Sequence, residues 1–293
     1  MTNPAFIFWG TPDISVDSLE ALKSAHLLPT LIVTAPDSAK GRNGTTSPSE
    51  AKAWALLNNI PVLSPEKIKT EEFLAEIAPK KYGVPVWDLF VVVAYGKILP
   101  QTILSLPKHG TINMHPSLLP RHRGPSPIES QILTEQSQDG VGVSIMLLDE
   151  EMDHGPVLAQ TSVGATLPSW PIGARALRKI LGEAGGELLT SVIPSLVTGE
   201  IVPIPQDHTQ ATFCVKSKKE DALIDLSSDA ETNFRKILAF EIWPRAYFFA
   251  DKGGTKVRTI IAAATLGNGS LVITRVIPEG KKEMSWDEFQ RGL

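Results

Sequence analysis

The sequence has almost no cysteine: Cys214 is the only one among its 293 residues. A single thiol forms neither an intramolecular disulfide nor a metal site built from several cysteines. So low a cysteine content is typical of proteins from reducing compartments. We therefore expect a cytoplasmic protein without structural disulfides.

An excess of positive charge and long hydrophobic runs are also missing. The chain has 28 lysines and arginines against 32 aspartates and glutamates, which excludes a protein that coats nucleic acid through bulk positive charge. No stretch approaches the ~18 apolar residues that cross a bilayer, and no basic segment precedes the short apolar run near the N-terminus. The sequence therefore predicts neither a membrane protein nor a secreted one.

The glycine-rich motifs of nucleotide-binding enzymes are absent as well. Neither G-x-G-x-x-G nor G-x-x-x-x-G-K-[ST] follows a predicted strand, so NAD and ATP are not implied. The lack of G-x-S-x-G disfavours a serine hydrolase. We expect no metal, because the histidines are not spaced as a recognised ligand set.

Short apolar runs alternate with helix-like segments, as in folds whose parallel strands are joined by crossover helices. A helix is predicted after Gly10, a second begins at Ser47 and Pro48 behind a polar loop, and a long one covers 177–196. The expected fold is an α/β, Rossmann-like, mostly parallel sheet. Its predicted strands cover residues 6–9, 29–34, 60–63, 89–94, 110–114 and 141–148.

The segment T-G-E-I-V-P-I-P-Q-D, with two prolines and a glycine, interrupts this pattern. We place a domain boundary there, which divides the chain into residues 1–205 and 206–293. Beyond it, short alternating segments separated by glycines predict a small β-rich module.

Asn113 and His115 stand at the end of a predicted strand, in the sequence N-M-H-P-S-L-L-P. Residues two apart in a strand point to the same side, and open α/β folds bind ligands at the carboxyl edge of the sheet. An amide can donate to a developing oxyanion and an imidazole can exchange a proton with an attacking amine, so the pair suits acyl transfer. A structural histidine at a strand end is the alternative interpretation.

An acidic loop follows about forty residues later and contains Asp149, Glu150, Glu151 and Asp153. A buried carboxylate beside His115 would orient the imidazole and favour its charged form. A solvated acidic turn is the other interpretation.

The segments F-W-G-T-P, N-M-H-P-S-L-L-P-R-H-R-G-P-S-P-I and L-L-D-E-E-M-D-H-G-P-V-L-A-Q resemble the folate-dependent formyltransferases, and further matching segments cover nearly the whole chain. The long N-M-H-P-S-L-L-P element makes the resemblance specific. It implies formyl transfer from 10-formyltetrahydrofolate to the α-amino group of methionyl initiator tRNA, for translation initiation. It also implies an OB-like C-terminal domain, residues 206–293, that contacts the tRNA.

The resemblance assigns roles to individual residues. Asn113, His115 and Asp153 would be catalytic. Lys40 and Arg42 would contact the tRNA from a loop that has fewer lysines than the family usually shows. We expect the protein to act as a monomer. The backbone around 148–152 would help to frame the pterin. Folate would also be bound through Tyr95, Ile98, Leu99, Ser117, Leu118, Leu119 and Pro120.

Two other functions stay open. A formyltransferase acting on an amino sugar or a nucleotide-sugar amine would share the three catalytic residues. A folate-binding or RNA-binding protein without catalysis would work through its β-rich module, and the intact Asn113, His115 and Asp153 disfavour it. Lys40 and Arg42 favour a polyanionic acceptor over a sugar.

Overall fold

A computed structural model describes residues 3–40 and 45–292. The chain divides into two compact units. Neither unit is a single stretch of sequence, so the predicted boundary at 205/206 stays a prediction. The first unit comprises residues 1–123, 141–164 and 178–213, and the second comprises 124–140, 165–177 and 214–293.

The helices and strands are numbered here in chain order. The helices are α1 (Asp13–Ser24), α2 (Glu50–Leu57), α3 (Glu71–Glu76), α4 (Gln101–Leu104), α5 (Pro127–Thr134), α6 (Ala174–Thr198), α7 (Ala230–Ala239) and α8 (Trp286–Arg291). The strands are β1 (Phe6–Gly10), β2 (Leu31–Val33), β3 (Ser38–Lys40), β4 (Thr45–Ser47), β5 (Val62–Leu63), β6 (Leu89–Val93), β7 (Thr111–His115), β8 (Gly142–Leu147), β9 (Val157–Ser162), β10 (Tyr247–Lys252), β11 (Thr255–Gly267), β12 (Ser270–Pro278) and β13 (Met284–Ser285).

The first unit is built on a seven-stranded sheet with the order β5-β2-β1-β6-β7-β8-β9. Its first five strands pair in parallel, and β8 and β9 are antiparallel. Every residue of β1 and β6 is buried, because helices cover both faces of such a sheet and its strands become continuous apolar runs. The predicted Rossmann-like, mostly parallel fold is confirmed.

The region from 35 to 58 differs from the prediction. Its polar loop contains a short hairpin, in which β3 pairs with β4. The helix begins at Glu50, and the hydroxyl of Ser49 caps it by accepting from the backbone N–H of Lys52 at 3.1 Å. The predicted start at Ser47 and Pro48 is therefore wrong, because Ser47 belongs to β4 and the helix begins only after the hairpin.

Helix α6 contains the predicted helical stretch. It also contains two glycines, which destabilise the interior of a helix. A Cβ built on Gly185 would lie 2.1 Å from Sδ of Met114, and one on Gly186 would lie 2.8 Å from Cα of Ser18. The missing side chains therefore let α6 approach β7 and α1 more closely than any other residue would allow.

By length and composition, α6 is apolar enough to cross a membrane, so the expectation of a protein outside the membrane stays a prediction. In the structure, however, Leu181, Leu189 and Ile193 are completely buried. A helix with such a face is also what the core of a soluble domain requires.

The second unit contains a four-stranded antiparallel sheet with the order β10-β11-β12-β13, so the predicted β-rich C-terminal module is confirmed and its OB-like character stays a prediction. Phe248, Ile261 and Phe289 lie in its core. Helix α5 belongs to this unit, because Arg235 of α7 donates to the carbonyl of Ile132 at 2.9 Å. Helices α5, α7 and α8 were not predicted from the sequence.

Candidate functional site

Strand β7 carries two of the predicted catalytic residues. Asn113 pairs with Val92 and Met146, and His115 lies opposite Ser144. The sulfur of Met114, between them, lies 3.3 Å from the hydroxyl of Ser18 on α1. Because side chains alternate along a strand, Asn113 and His115 point to the face opposite α1.

The imidazole of His115 contacts two groups. Its Nδ1 lies 3.6 Å from Oδ1 of Asp153, and the two side chains are 5% and 13% exposed. Its Nε2 lies 2.9 Å from the carbonyl oxygen of His122. A carbonyl oxygen can only accept, so Nε2 carries the hydrogen and Nδ1 faces the carboxylate. The structure thus brings two of the three predicted catalytic side chains together.

Asp153 reaches His115 because the loop after β8 turns back. Strand β8 ends at Leu147, which pairs with Ile112 near the start of β7, whereas His115 stands at its end. A Cβ built on Gly155 would lie 2.0 Å from the carbonyl oxygen of Leu147, so only glycine fits where the loop returns. Asp153 itself has a φ of 50°, a left-handed conformation that residues with a side chain rarely adopt.

The other carboxylates of this loop behave differently. Glu150 and Glu151 are exposed, as in a solvated turn. Oδ2 of Asp149 lies 2.7 Å from Nδ1 of His154. Asp153 is therefore the member of this acidic cluster that faces His115.

Ser144 was not singled out by the sequence analysis, although it holds the predicted folate-binding segment in place. Its hydroxyl donates to the carbonyl of Ser117 at 2.6 Å and accepts from the N–H of Leu119 at 3.0 Å. Nε2 of Gln160 donates to the carbonyl of Leu119 and to the Ser144 hydroxyl, both at 2.8 Å. No sequence motif marks either residue, because both act through distant backbone atoms.

The side chains of the 117–120 segment mostly serve its own structure. The hydroxyl of Ser117 donates to the carbonyl of Arg121 at 2.6 Å, and Leu119 is buried. Leu118 and Pro120 are half-buried. Folate binding by these four residues stays a prediction.

The loop after β6 contains the other predicted folate residues. Tyr95 and Leu99 lie in the apolar core, whereas the side chain of Ile98 is 80% exposed. The ring of Tyr95 packs edge-on against Trp9 with centroids 5.3 Å apart, and burial raises the pKa of its hydroxyl to about 12. Within the described chain, neither that hydroxyl nor Nε1 of Trp9 has a hydrogen-bond partner.

The predicted tRNA contacts lie at the edge of what the structure describes. Lys40 is the last residue of β3, and Arg42 lies outside the described residues. Across residues 3–40 and 45–292, no group of three or more His, Cys, Asp or Glu is placed to hold a metal ion.

Comparison with known proteins connects this geometry to a family. The sequence profile of the formyl transferase family matches residues 2–169. The chain is 41% identical to the methionyl-tRNA formyltransferase of Sulfurihydrogenibium sp. over 82% of its own length and 75% of that protein. It is 35% identical to the methionyl-tRNA formyltransferase of Citrifermentans bemidjiense over 100% of this chain and 94% of the relative.

A solved structure gives the same result for the fold. The methionyl-tRNA formyltransferase from Clostridium thermocellum aligns with a TM-score of 0.61 and 18% identity, over 94% of this chain and 98% of that one. The profile covers more than half of the chain and the relatives align along most of it. The chain therefore belongs to the formyl transferase family and, within it, to the methionyl-tRNA formyltransferases.

Proposed function

We propose that the protein transfers the formyl group of 10-formyltetrahydrofolate to the α-amino group of methionyl initiator tRNA, for translation initiation. The observation that carries this proposal is the pairing of the buried His115 with the half-buried Asp153, with 3.6 Å between Nδ1 and Oδ1. Asn113 lies on the same face of β7, two residues before His115. These are the amide, imidazole and carboxylate that acyl transfer to an amine requires.

The chemistry assigns one role to each group. The neutral amine attacks the formyl carbon, and the amide of Asn113 donates to the oxygen as negative charge develops on it. Nδ1 of His115 takes the proton that the amine loses, and the carboxylate of Asp153 stabilises the resulting imidazolium. The bond from the formyl carbon to the tetrahydrofolate nitrogen breaks, and that nitrogen leaves with the electron pair and receives the proton.

Nε2 of His115 takes no part in this exchange, because its hydrogen is held by the carbonyl of His122 at 2.9 Å. That hydrogen bond fixes the ring and leaves Nδ1 as the nitrogen that can accept a proton. A single working nitrogen would therefore serve first as base and then as acid.

The pterin of 10-formyltetrahydrofolate fits the exposed apolar side chains on the loops around these residues. A pterin is a flat ring system with polar edges, and the exposed side chains of Ile98 and Met152, 80% and 59% accessible, offer apolar surface. Both are on loops that follow sheet strands, β6 and β8. We propose that the backbone of 95–99 and of 117–120 binds the folate there, since several of those side chains are already used inside the protein.

We propose that Lys40 and Arg42 contact the phosphates of the acceptor tRNA, because two cations close together attract a polyanion. We also propose that the enzyme acts as a monomer in the cytoplasm, where the aminoacylated tRNA is found.

An acceptor assay tests this function. Purified protein is supplied with 10-formyltetrahydrofolate and, in separate reactions, with methionyl initiator tRNA, methionyl elongator tRNA or amino-sugar nucleotides. We expect saturable formylation of methionyl initiator tRNA and no measurable turnover of the sugars.

The outcome decides between the alternatives. Formylation of an amino-sugar nucleotide in preference to the tRNA would assign the protein to the sugar formyltransferases. Tight binding of tRNA or folate without turnover of any acceptor would make it a binding protein, and either result would contradict the proposal.

A further inference from the structure

Gln206 is a buried glutamine, 7% exposed, that stands directly after the predicted domain boundary. Its Nε2 donates to the carbonyl oxygen of Asp153 at 3.0 Å and to that of Gly155 at 2.7 Å. Both hydrogens of the carboxamide are thus donated to the loop that contains Asp153. A buried NH2 group that donates to two backbone carbonyls holds that stretch of backbone in place.

Arg123 fixes the orientation of that carboxamide. This arginine is 3% exposed, and its Nε and Nη2 donate to Oε1 of Gln206 at 3.1 and 2.7 Å. A guanidinium can only donate, so the oxygen of Gln206 must face Arg123 and its NH2 group must face the loop. The amide therefore has one permitted orientation.

The same segment holds the loop through a second contact. The ring of His208 stacks on that of His154, with centroids 4.1 Å apart and planes within 3°. Nη2 of Arg123 donates to Nδ1 of His208 at 2.8 Å, which requires that nitrogen to be unprotonated. Residues 206–208 thus contact the loop at Asp153, His154 and Gly155.

We infer that Gln206, oriented by Arg123, is a positioning residue for formyl transfer, and this rests on the proposed roles of His115 and Asp153. Gln206 binds the backbone of the residue whose carboxylate faces His115. That residue has a φ of 50°, a conformation that persists only where its surroundings hold it. Without the two donated hydrogen bonds, the loop relaxes and the carboxylate moves away from Nδ1 of His115.

The test replaces Gln206→Glu, which keeps the size of the side chain and an oxygen for Arg123 but removes the NH2 donor. Small displacements of catalytic groups reduce rates strongly, so we expect kcat to fall by about tenfold or more. KM for 10-formyltetrahydrofolate and for methionyl-tRNA should change less than about twofold, because the hydrogen bonds of Gln206 go to Arg123 and to the loop backbone. Chemical denaturation should still show one cooperative transition.

Gln210→Glu is the matched control. Gln210 is an exposed glutamine four residues further along, and its Nε2 donates to Oδ2 of Asp207 at 2.7 Å. The same chemical change there should leave kcat within about twofold of the wild type, because the side chain bonds within its own turn. If Gln206→Glu fails to fold, Gln206→Asn takes its place, since the shorter amide keeps the charge balance and cannot span both carbonyls.

A double variant separates this inference from the proposed function. If Gln206 acts through Asp153, adding Gln206→Glu to Asp153→Asn should lower kcat by less than about twofold further, because residues that work as a unit are not additive. Multiplicative losses, or a Gln206→Glu variant whose KM rises while kcat stays intact, would overturn the positioning role. Wild-type turnover by Asp153→Asn alone would instead contradict the proposed function.

Discussion

On one face of β7, Met114 packs against α6 so closely that a methyl group on Gly185 would lie 2.1 Å from its sulfur. On the other face, Nδ1 of His115 and Oδ1 of Asp153 are 3.6 Å apart, a separation longer than a hydrogen bond. The first face is closed by small side chains and dispersion contacts. The second is arranged by hydrogen bonds that the side chains of His115, Ser144 and Gln206 donate to backbone carbonyls.

This difference indicates that the two faces of β7 have different roles. Removing packed apolar groups lowers the free energy of unfolding. Polar groups aimed at a reacting atom instead contribute to the rate of the reaction. Substitutions on the packed face should therefore lower stability. Substitutions on the polar face should lower turnover while the fold remains cooperative.

The largest expected effect is that of His115→Ala. Removing the proton-exchanging group should lower kcat by about a thousandfold, near 4 kcal/mol of activation free energy. The fold loses one hydrogen bond, to the carbonyl of His122, which costs about 1 kcal/mol of unfolding free energy. Single-turnover formylation and urea denaturation measure the two quantities.

His109→Ala provides the control for that experiment. His109 lies just before β7, at the end opposite His115, and its buried Nε2 has no hydrogen-bond partner in the described chain. Its removal should leave kcat within about twofold of the wild type. Near wild-type turnover by His115→Ala would mean that the polar face of β7 contributes nothing to rate. It would therefore contradict the proposed difference between the two faces.

The strands of the sheet were more predictable from sequence than the contacts around His115. Continuous apolar runs mark β1 and β6, and the observed strands end within two residues of the predicted limits. Alternation along β7 was also sufficient to place Asn113 and His115 on one side. These features are local, so a short window of sequence contains them.

The features that could not be predicted from the sequence depend on residues that are distant along the chain. Gln206 and Asp153 are separated by 53 residues, and nothing near either one predicts a left-handed aspartate held by a glutamine amide. Ser47 has the pattern of a helix cap, yet pairing with Ser38 draws it into a strand. Asp153 was singled out through resemblance to a family, because spacing alone could not choose among four carboxylates.

A smaller effect is expected from Gly185→Ala on the packed face. Alanine favours the helix by up to about 1 kcal/mol, but its methyl group would overlap the sulfur of Met114, which is 2% exposed. Overpacking of a core costs about 1–3 kcal/mol. We expect a net loss of about 1–2 kcal/mol in the free energy of unfolding, measured by urea denaturation.

Gly267→Ala is the matched substitution, since among the described residues no atom beyond its two chain neighbours lies within 4 Å of the position that its Cβ would take. It should change the free energy of unfolding by less than about 0.5 kcal/mol. If Gly185→Ala is as stable as the wild type, Met114 can move aside and the face is less closely packed than its geometry indicates.

The smallest effect concerns Asp17, a carboxyl on the packed side. It lies against α6, where a Cβ on Gly182 would be 2.9 Å from its own Cβ. Burial, together with repulsion from Asp13 and Glu183, raises its pKa from 3.8 to about 6. The folded protein therefore binds this proton more tightly than the unfolded chain, so stability falls as the pH rises from about 4 to about 6.

Asp17→Asn removes this ionisation and should abolish the associated fall in stability. Because the carboxyl is only half-buried, solvent screening reduces the gain at pH 7 to about 1 kcal/mol of unfolding free energy. At pH 3.5 the wild-type carboxyl is mostly protonated in both states, so the two proteins should be nearly equal in stability there. Urea denaturation at the two pH values measures the difference, and a gain of equal size at both would mean that the amide stabilises by packing, with no contribution from charge.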